Sequence, residues 1–155
     1  MNGKFDSRHP LVGLVDEVAR LNGRLKSVFA EARRSAELGD SEMMVLNAVV
    51  EADRSPTVSQ IGRSLGQPRQ IVQRAANALV GSKLLVTRPN LDHKRAVLLV
   101  ATDRGIALKR EIDARADAIA AALTTSLDLD AVQKSTQSLR VLRKELEAQL
   151  RASGT

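Results

Sequence analysis

The chain has 155 residues and a formal net charge of +6, and it contains no cysteine. Its length suits a single domain, and the lack of cysteine excludes disulfides, thiol sensing and cysteine-based zinc sites. Because Phe5 and Phe29 are its only aromatic residues, a core must consist of Leu, Val, Ile and Ala, which suits helices. No apolar run is long enough to cross a membrane and no signal-peptide pattern opens the sequence, so we expect a cytoplasmic protein.

The first predicted helix runs from Pro10 to about Leu38, where apolar residues recur at helical spacing. The preceding residues 1–9 lack this periodicity and are expected to form a flexible tail. Pro10 fits a first helical turn, and Gly39 fits just past a helix end. A second helix is predicted to run to Ala52, with two candidates for its N-terminal cap, Asp40 and Ser41.

Residues 57–81 have the pattern of a helix-turn-helix. Gly66 allows a sharp chain reversal between two apolar stripes, and Pro68 fits the first turn of the second helix but not its middle. The residues that can cap or open the first helix are Ser55, Pro56 and Thr57. The two stripes consist of Val58, Ile61 and Leu65, and of Ile71, Val72, Ala75, Ala76 and Leu79.

The opposite face of the second helix carries Arg, Gln and Asn side chains, namely Arg69, Gln70, Gln73, Arg74 and Asn77. Arg can bond guanine bidentately in the major groove, and Gln or Asn can do the same to adenine. A recognition helix places its N-terminal residues against base edges. A polar helix face is often simply solvated, but the turn before this helix and the ribbon after it favour DNA recognition.

Two short apolar runs follow, Leu84–Arg88 and Ala96–Val100, and they predict a two-stranded ribbon. Their connection is longer than a tight hairpin needs, which indicates a protruding wing. The wing and its flank carry three cations that could follow phosphates or enter the minor groove, Arg88, Lys94 and Arg95. By itself, this hairpin could equally be a charged device that protects a sheet edge.

Two long amphipathic helices complete the chain. Thr102 can cap the first, which has Asp103 in its first turn and is predicted to end near Thr124. Asp128 or Asp130 begins the last helix, which ends near Arg151. The apolar stripes at both ends of the chain need a surface to cover, and either a dimer or a hairpin folded back on its own monomer would supply one.

The positive charge is concentrated in one part of the chain. Between Arg54 and Arg110 there are eleven Lys and Arg residues and two Asp residues, a net charge of +9. The rest of the chain has thirteen basic and sixteen acidic residues, a net charge of −3. Such a basic patch raises affinity for a polyanion, although charge alone does not distinguish DNA from RNA or a membrane surface.

The order of elements resembles that of the MarR family of winged-helix transcriptional regulators. The stretches that carry the resemblance are SEMMVLNAVVEA, then TVSQIGRSLGQPRQIVQRAANALVGSKLLVTR, a charged wing, and VLLVATDRG. The resemblance implies a mainly α fold with a small two-stranded antiparallel β wing. It also implies a winged helix-turn-helix at residues 40–101 and a helical dimerisation region at residues 10–39 and 102–151, intertwined as one domain.

The chain departs from the family pattern at three places. His93 stands where the wing usually has an Asp, with Asp92 one position earlier, so an Asp–Arg brace in the wing is in doubt. Lys83 replaces the Gly that usually precedes the first strand. Ala101 and Thr102 replace a Leu-Thr pair after the second strand.

From these patterns we predict a sequence-specific DNA-binding transcriptional regulator, a repressor that binds a pseudopalindromic operator of double-stranded DNA as a homodimer. The resemblance further implies release by a small-molecule effector, although the scarcity of aromatic residues leaves ligand-free regulation open. The alternatives are a winged-helix module that binds protein and a nonspecific nucleoid-type DNA binder.

The predicted contacts to DNA cover both grooves and the backbone. They are Arg69, Gln70, Gln73, Arg74 and Asn77 in the major groove, Arg95 in the minor groove, Lys94 and Arg88 on the backbone, and Ser55, Thr57 and Ser59 on phosphates. We expect no enzyme, no cofactor and no metal site, because the two His residues, His9 and His93, lie far apart and no phosphate-binding loop or nucleophile elbow is present.

Overall fold

The computed structural model describes residues 8–34, 36–123 and 126–153. Within them the chain forms helices and one two-stranded antiparallel sheet, as predicted. In chain order the elements are α1 (Pro10–Val28), α2 (Ala30–Arg34), α3 (Asp40–Val50), α4 (Val58–Leu65), α5 (Arg69–Gly81), β1 (Leu85–Arg88), β2 (Leu98–Ala101), α6 (Asp103–Leu123) and α7 (Leu129–Ala152).

The prediction of one helix from Pro10 to Leu38 was wrong, because the chain turns at Phe29. Arg33 of α2 donates from Nη2 to the carbonyl of Lys26 at 2.9 Å, which satisfies a free acceptor in the last turn of α1. His9, which the prediction placed in the tail, accepts from the Leu11 N–H at 3.2 Å and caps α1. Apolar spacing continues across the break, so periodicity alone could not reveal it.

The N-terminal cap of α3 is Gly39 and not one of the predicted candidates, Asp40 and Ser41. The helix itself begins at Asp40. The Gly39 N–H donates to the Glu42 carboxylate at 3.4 Å. Asp40 instead bridges α1 and α2, with ion pairs to Lys26 at 2.7 Å and to Arg33 at 3.2 Å. The hydrogen bond and charge of Lys26, with help from Arg33, lower the pKa of Asp40 below its usual value.

Helix α4 is capped by Thr57, as predicted. Thr57 Oγ1 accepts from the Gln60 N–H at 3.3 Å, and Gln60 Oε1 accepts from the Thr57 N–H at 2.8 Å. Pro56 lies before this cap, not in the first turn, and its carbonyl accepts from the Leu99 N–H at 2.8 Å. Pro68 is likewise the cap of α5 rather than a residue of its first turn.

Helices α4 and α5 end in the same backbone motif, with one residue in the left-handed conformation. At the end of α4 this residue is Gly66, with φ of 62°, and the Gln67 N–H donates to the Gly62 carbonyl at 2.9 Å. At the end of α5 it is Lys83, with φ of 62°. The helix-closing hydrogen bond there runs from the Leu84 N–H to the Leu79 carbonyl, also at 2.9 Å.

The two strands pair antiparallel with Leu85 opposite Ala101 and Arg88 opposite Leu98. The first strand begins one residue later than predicted, because Leu84 belongs to the turn that closes α5. The second strand begins two residues later than predicted, and Ala96 lies in the loop, where its N–H donates to the His93 carbonyl at 3.0 Å.

One apolar core joins α3, α4, α5 and the base of the ribbon. At its centre Leu46, Leu79 and Leu85 have no exposed surface. The rest of this core consists of Val45, Val49, Val58, Ile61, Val72, Ala75, Ala76, Leu84 and Leu99. Burial of this aliphatic surface is the main force that holds the helix-turn-helix and the wing together.

Helix α6 starts directly against the end of α5. Thr102 Oγ1 accepts from the Gly105 N–H at 3.0 Å, so Thr102 caps the helix as predicted, and its hydroxyl donates to the Lys83 carbonyl at 2.8 Å. Gly105 is buried, and a Cβ atom added to it would lie 2.2 Å from the Leu84 carbonyl oxygen. The start of α6 can therefore approach the turn that closes α5 this closely only because residue 105 is glycine.

The contacts divide the chain into two units, the first ending at Ala116 and the second beginning at Asp117. In the second unit Asp128, one of the two residues predicted to begin the last helix, caps α7 by accepting from the N–H groups of Asp130 and Ala131 at 3.0 and 3.2 Å. Thr124, the predicted end of the preceding helix, lies outside the described residues. None of the described helices combines the length and the apolar character that a membrane span requires.

Candidate nucleic-acid interface

Helix α5 turns its polar face away from the core. Val72, Ala75, Ala76 and Leu79 are buried on one side of the helix. On the other side the predicted base-reading residues are exposed, except for Gln73, which is half-buried; the exposed ones are Arg69, Gln70, Arg74 and Asn77. Arg69 occupies the first position of the helix, where a recognition helix meets the bases.

Two of these side chains are already organised with respect to each other. Gln73 Nε2 donates to Asn77 Oδ1 at 3.0 Å, one helical turn further along. The bond leaves the Gln73 carbonyl oxygen and the Asn77 amide N–H groups for other partners. The face can thus offer both a donor and an acceptor to the edge of a base.

Arg74 lies at the border of this face. With Ile71 it lines a hollow of about 290 Å³ against the start of α3, at Gly39, Asp40 and Glu42. Arg74 is exposed, so the polar face of α5 extends to the side of the helix that meets the start of α3.

The wing carries its three predicted cations on exposed positions. Arg88 ends β1, and Lys94 and Arg95 lie in the loop before β2. The loop is held by hydrogen bonds from the Asp92 N–H to Asn90 Oδ1 at 3.0 Å and from the His93 N–H to the Asn90 carbonyl at 3.3 Å. No ion pair joins Asp92 to Arg95 in the described structure, so this wing does not contain the Asp–Arg brace that the family pattern favours.

The three predicted phosphate-binding hydroxyls differ in accessibility. Ser55 is exposed and Ser59 is half-buried. Thr57 is only 8% exposed, and its oxygen already caps α4. Ser55 is therefore the best placed of the three to donate to a phosphate, and Thr57 the worst placed.

The positive charges in this part of the chain form no ion pair with any described residue, although Arg104 donates to the Ser82 carbonyl at 3.2 Å. We call residues 52–108 the reading segment. All nine of its Lys and Arg side chains are exposed, and none of them forms an ion pair in the part of the chain that the structure describes. An uncompensated positive surface of this kind attracts a polyanion.

One buried cation, Lys109, lies just outside this segment. Lys109 is 6% exposed and pairs with Asp113 on its own helix and with Glu51 at the end of α3, at 3.4 Å. Burial disfavours the charged form, but the hydrogen bonds and charges of Asp113 and Glu51 outweigh it and raise the pKa of Lys109. The sequence did not predict this ion pair between Lys109 of α6 and Glu51 at the end of α3, because the two residues are far apart in the chain.

Three hollows in the first unit have the size of a small-molecule site. One, of about 590 Å³, is lined by α3, α4 and their connection, and it includes Asn47. The others, of about 500 and 540 Å³, lie beside β2 and α6 and beside the end of α5. No aromatic side chain lines any of the three. Among the described residues, Asn47 Oδ1 is buried without a hydrogen-bond partner.

Comparison with known sequences identifies relatives of the chain. A family model described as the MarR family matches residues 37–96. An uncharacterized protein of Mycobacterium tuberculosis, Rv2011c, is 36% identical over 139 residues, which cover 86% of this chain and 97% of that protein.

Solved structures show the same fold. A MarR-family transcriptional regulator from Rhodococcus sp. RHA1 superposes with a TM-score of 0.76 at 18% identity, over 88% of this chain and 96% of that one. CouR from Rhodococcus jostii RHA1, bound to p-coumaroyl-CoA, superposes with a TM-score of 0.71 at 18% identity. The superposition covers 85% of this chain and 91% of CouR. With its helix-turn-helix, its wing and the matching family model, the chain belongs to the MarR family of winged helix-turn-helix transcriptional regulators.

Proposed function

We propose that this protein is a homodimeric, sequence-specific repressor that places α5 in the major groove of a pseudopalindromic operator. The observation that carries the proposal is the exposed face of α5, whose Arg, Gln and Asn side chains lie in a segment of uncompensated positive charge. Arg69, Gln70, Gln73 and Arg74 contact base edges in this arrangement, with a secondary contact from Asn77.

The wing and the start of α4 position the protein on the backbone. Arg95 enters the minor groove, and Lys94 and Arg88 follow phosphates. Ser55 and Ser59 donate to phosphates near the start of α4, with a smaller role for the buried Thr57. These contacts supply affinity and register rather than sequence preference.

The dimer is supported by apolar surface that neither end of the chain buries. No residue of α1 or α7 is buried, although seven Leu and Val side chains of α1 and seven of α7 are exposed. We assign residues 10–39 and 102–151 to the dimerisation region. A second copy of the chain covers these stripes and sets two α5 helices about one turn of duplex apart.

Regulation by a small molecule is the last part of the proposal. CouR, which shares the fold, was solved with p-coumaroyl-CoA bound. The hollow of about 590 Å³ is lined by apolar side chains such as Met44 and Leu65 and by polar ones such as Arg54 and Gln60, so an effector with both an apolar body and a polar group fits it. Such an effector releases DNA if it binds better to the form of the dimer whose spacing does not fit the operator.

Selection of bound fragments from a random pool of duplex DNA tests the function directly. We expect a pseudopalindromic consensus, and in gel shifts at two salt concentrations we expect affinity for it to fall steeply as salt rises. Equal affinity for unrelated DNA would indicate a nucleoid-type binder instead. Absence of any DNA binding would indicate a protein-interaction module. A thermal-shift screen of small organic acids then tests the effector.

A further inference from the structure

The large apolar side chains that are exposed fall into three groups. One lies along α1 and another along residues 123–150, and the proposed dimer accounts for both. The third group lies in the wing and consists of Val86, Leu91 and Val97, which are 39%, 97% and 46% exposed. Leu91 is the most exposed large hydrophobic side chain in the described part of the chain, and no dimer helix accounts for it.

The loop presents Leu91 in a defined position. Leu91 is the middle residue of a turn in which the Asp92 N–H bonds Asn90 Oδ1 and the His93 N–H bonds the Asn90 carbonyl. The last paired residues of the ribbon are Arg88 and Leu98, so the side chain lies in the part of the wing beyond the sheet. These bonds join the backbone on the two sides of Leu91, and the Leu91 side chain itself is 97% exposed.

The surroundings of Leu91 specify the chemistry of a partner. Arg88, Lys94 and Arg95 are exposed in the same wing, against one carboxylate, that of Asp92. A partner must therefore attract cations and also accept a bare aliphatic group. The minor groove of DNA does both, since phosphates line it and Leu side chains can enter between base steps.

We propose that Leu91 is an apolar wedge that enters the minor groove beside each half-site and prefers a flexible pyrimidine–purine step there. The inference rests on the proposed DNA-binding function and deepens it. Pyrimidine–purine steps such as TA and CA/TG unstack most easily, so the wedge adds sequence preference at a position that no hydrogen bond reads. Arg95 supplies charge in the same groove, and Leu91 supplies the shape-dependent part of the contact.

The test combines Leu91→Ala with a change of the base step in the selected operator. We expect Leu91→Ala to weaken operator binding about 10-fold, as expected for the partial loss of one buried Leu contact. The slope of affinity against salt should not change, because no charge is lost. Replacing the pyrimidine–purine step of the operator by AA should weaken binding of the wild-type protein. The same replacement should leave the affinity of the Leu91→Ala variant unchanged.

Two controls separate a wedge from a loop defect. Val97→Ala removes a less exposed apolar side chain of the same loop and should change affinity less than about 2-fold, a free-energy difference of about 0.4 kcal/mol. Leu91→Met should restore most of the affinity. A 2-aminopurine placed at the step should brighten on binding of the wild-type protein and stay dark with Leu91→Ala.

The outcomes distinguish the inference from the function on which it rests. Suppose that the wild-type protein selects an operator and that Leu91→Ala binds it equally well and with the same step preference. The proposed insertion of Leu91 is then wrong, and the proposed regulator function is unaffected. If the wild-type protein shows no preference for any duplex, the proposed function fails, and the wedge fails with it.

Discussion

The reading segment and the helices α1 and α7 differ in two respects: whether their apolar side chains are buried, and whether their charged side chains form ion pairs. Residues 52–108 contribute most of the aliphatic core, yet their nine cations have no ion-pair partner among the described residues. Helices α1 and α7 show the reverse. Their apolar stripes are exposed, whereas several of their charges are paired, as in Arg8–Asp16, Lys134–Asp130 and Arg143–Glu147.

This contrast indicates what each region binds. A surface with unpaired positive charge over a packed core gains most from an anionic partner, which supports the DNA contacts proposed for the reading segment. A surface with paired charges and exposed Leu and Val gains most from an apolar partner, which supports the dimer proposed for α1 and α7. Surface ion pairs contribute little to stability, so those of α7 favour solubility rather than replacing the missing burial.

The largest effect should come from breaking the core of the reading segment. Leu79→Ala should lower the free energy of unfolding by about 2–5 kcal/mol, because it leaves a cavity where a side chain has no exposed surface. Urea denaturation followed by circular dichroism measures this. Leu91→Ala is the matched control and should change stability by less than about 0.5 kcal/mol. Equal losses in the two variants would contradict the described core.

The next effect concerns the apolar stripe of α7. The double variant Leu142→Asp, Leu146→Asp should raise the dimer dissociation constant by about 100-fold or more, because an apolar interface cannot hold two unpaired charges. Analytical ultracentrifugation measures the dissociation constant, and Lys144→Ala on the opposite side of the helix is the control. A double variant that stays dimeric at the same concentration would show that this stripe lies outside the interface.

A third prediction separates base reading from charge within the reading segment. Arg69→Ala should cost about 1–3 kcal/mol of operator binding and relax preference at one base position. Arg95→Ala should weaken binding to all sequences and reduce the salt slope by about 1. Arg140→Ala on α7 is the control and should change neither. If Arg69→Ala and Arg95→Ala both leave operator affinity intact, the proposed docking is wrong.

The smallest effects should come from the two left-handed residues, and they should have opposite signs. Lys83→Gly should stabilise the protein by up to about 1 kcal/mol, because glycine adopts positive φ without the steric cost that Lys83 meets. Gly66→Ala should destabilise it by about 1 kcal/mol for the same reason. Thermal unfolding of the two variants and the wild-type protein measures the difference, and a shift in the same direction for both would contradict the explanation.

Local rules of the chain were enough to predict the helix-turn-helix. The Thr57 cap, the glycine at position 66 and the apolar stripes on either side of it act over a few residues, and the helices follow from them. The same holds for the Thr102 and Asp128 caps. The polar face of α5 was also predictable, because a helix with one stripe in the core must expose the opposite side.

Other features depend on contacts between different elements of the structure. The break at Phe29 follows from Arg33 and Asp40, which close the end of α1 from outside it. The need for glycine at 105 arises from the Leu84 carbonyl, and the burial of Lys109 depends on Glu51. Likewise, only the folded wing shows that the Leu91 side chain is exposed and that Arg95 forms no ion pair with Asp92.

The sequence by itself determined the order of the helices and strands, the polar face of α5 and the excess of positive charge around it, because each depends on spacing or composition within one segment. The tertiary structure decided which charges find partners and which apolar groups remain exposed. Those outcomes depend on contacts between segments, whose energies no local pattern records.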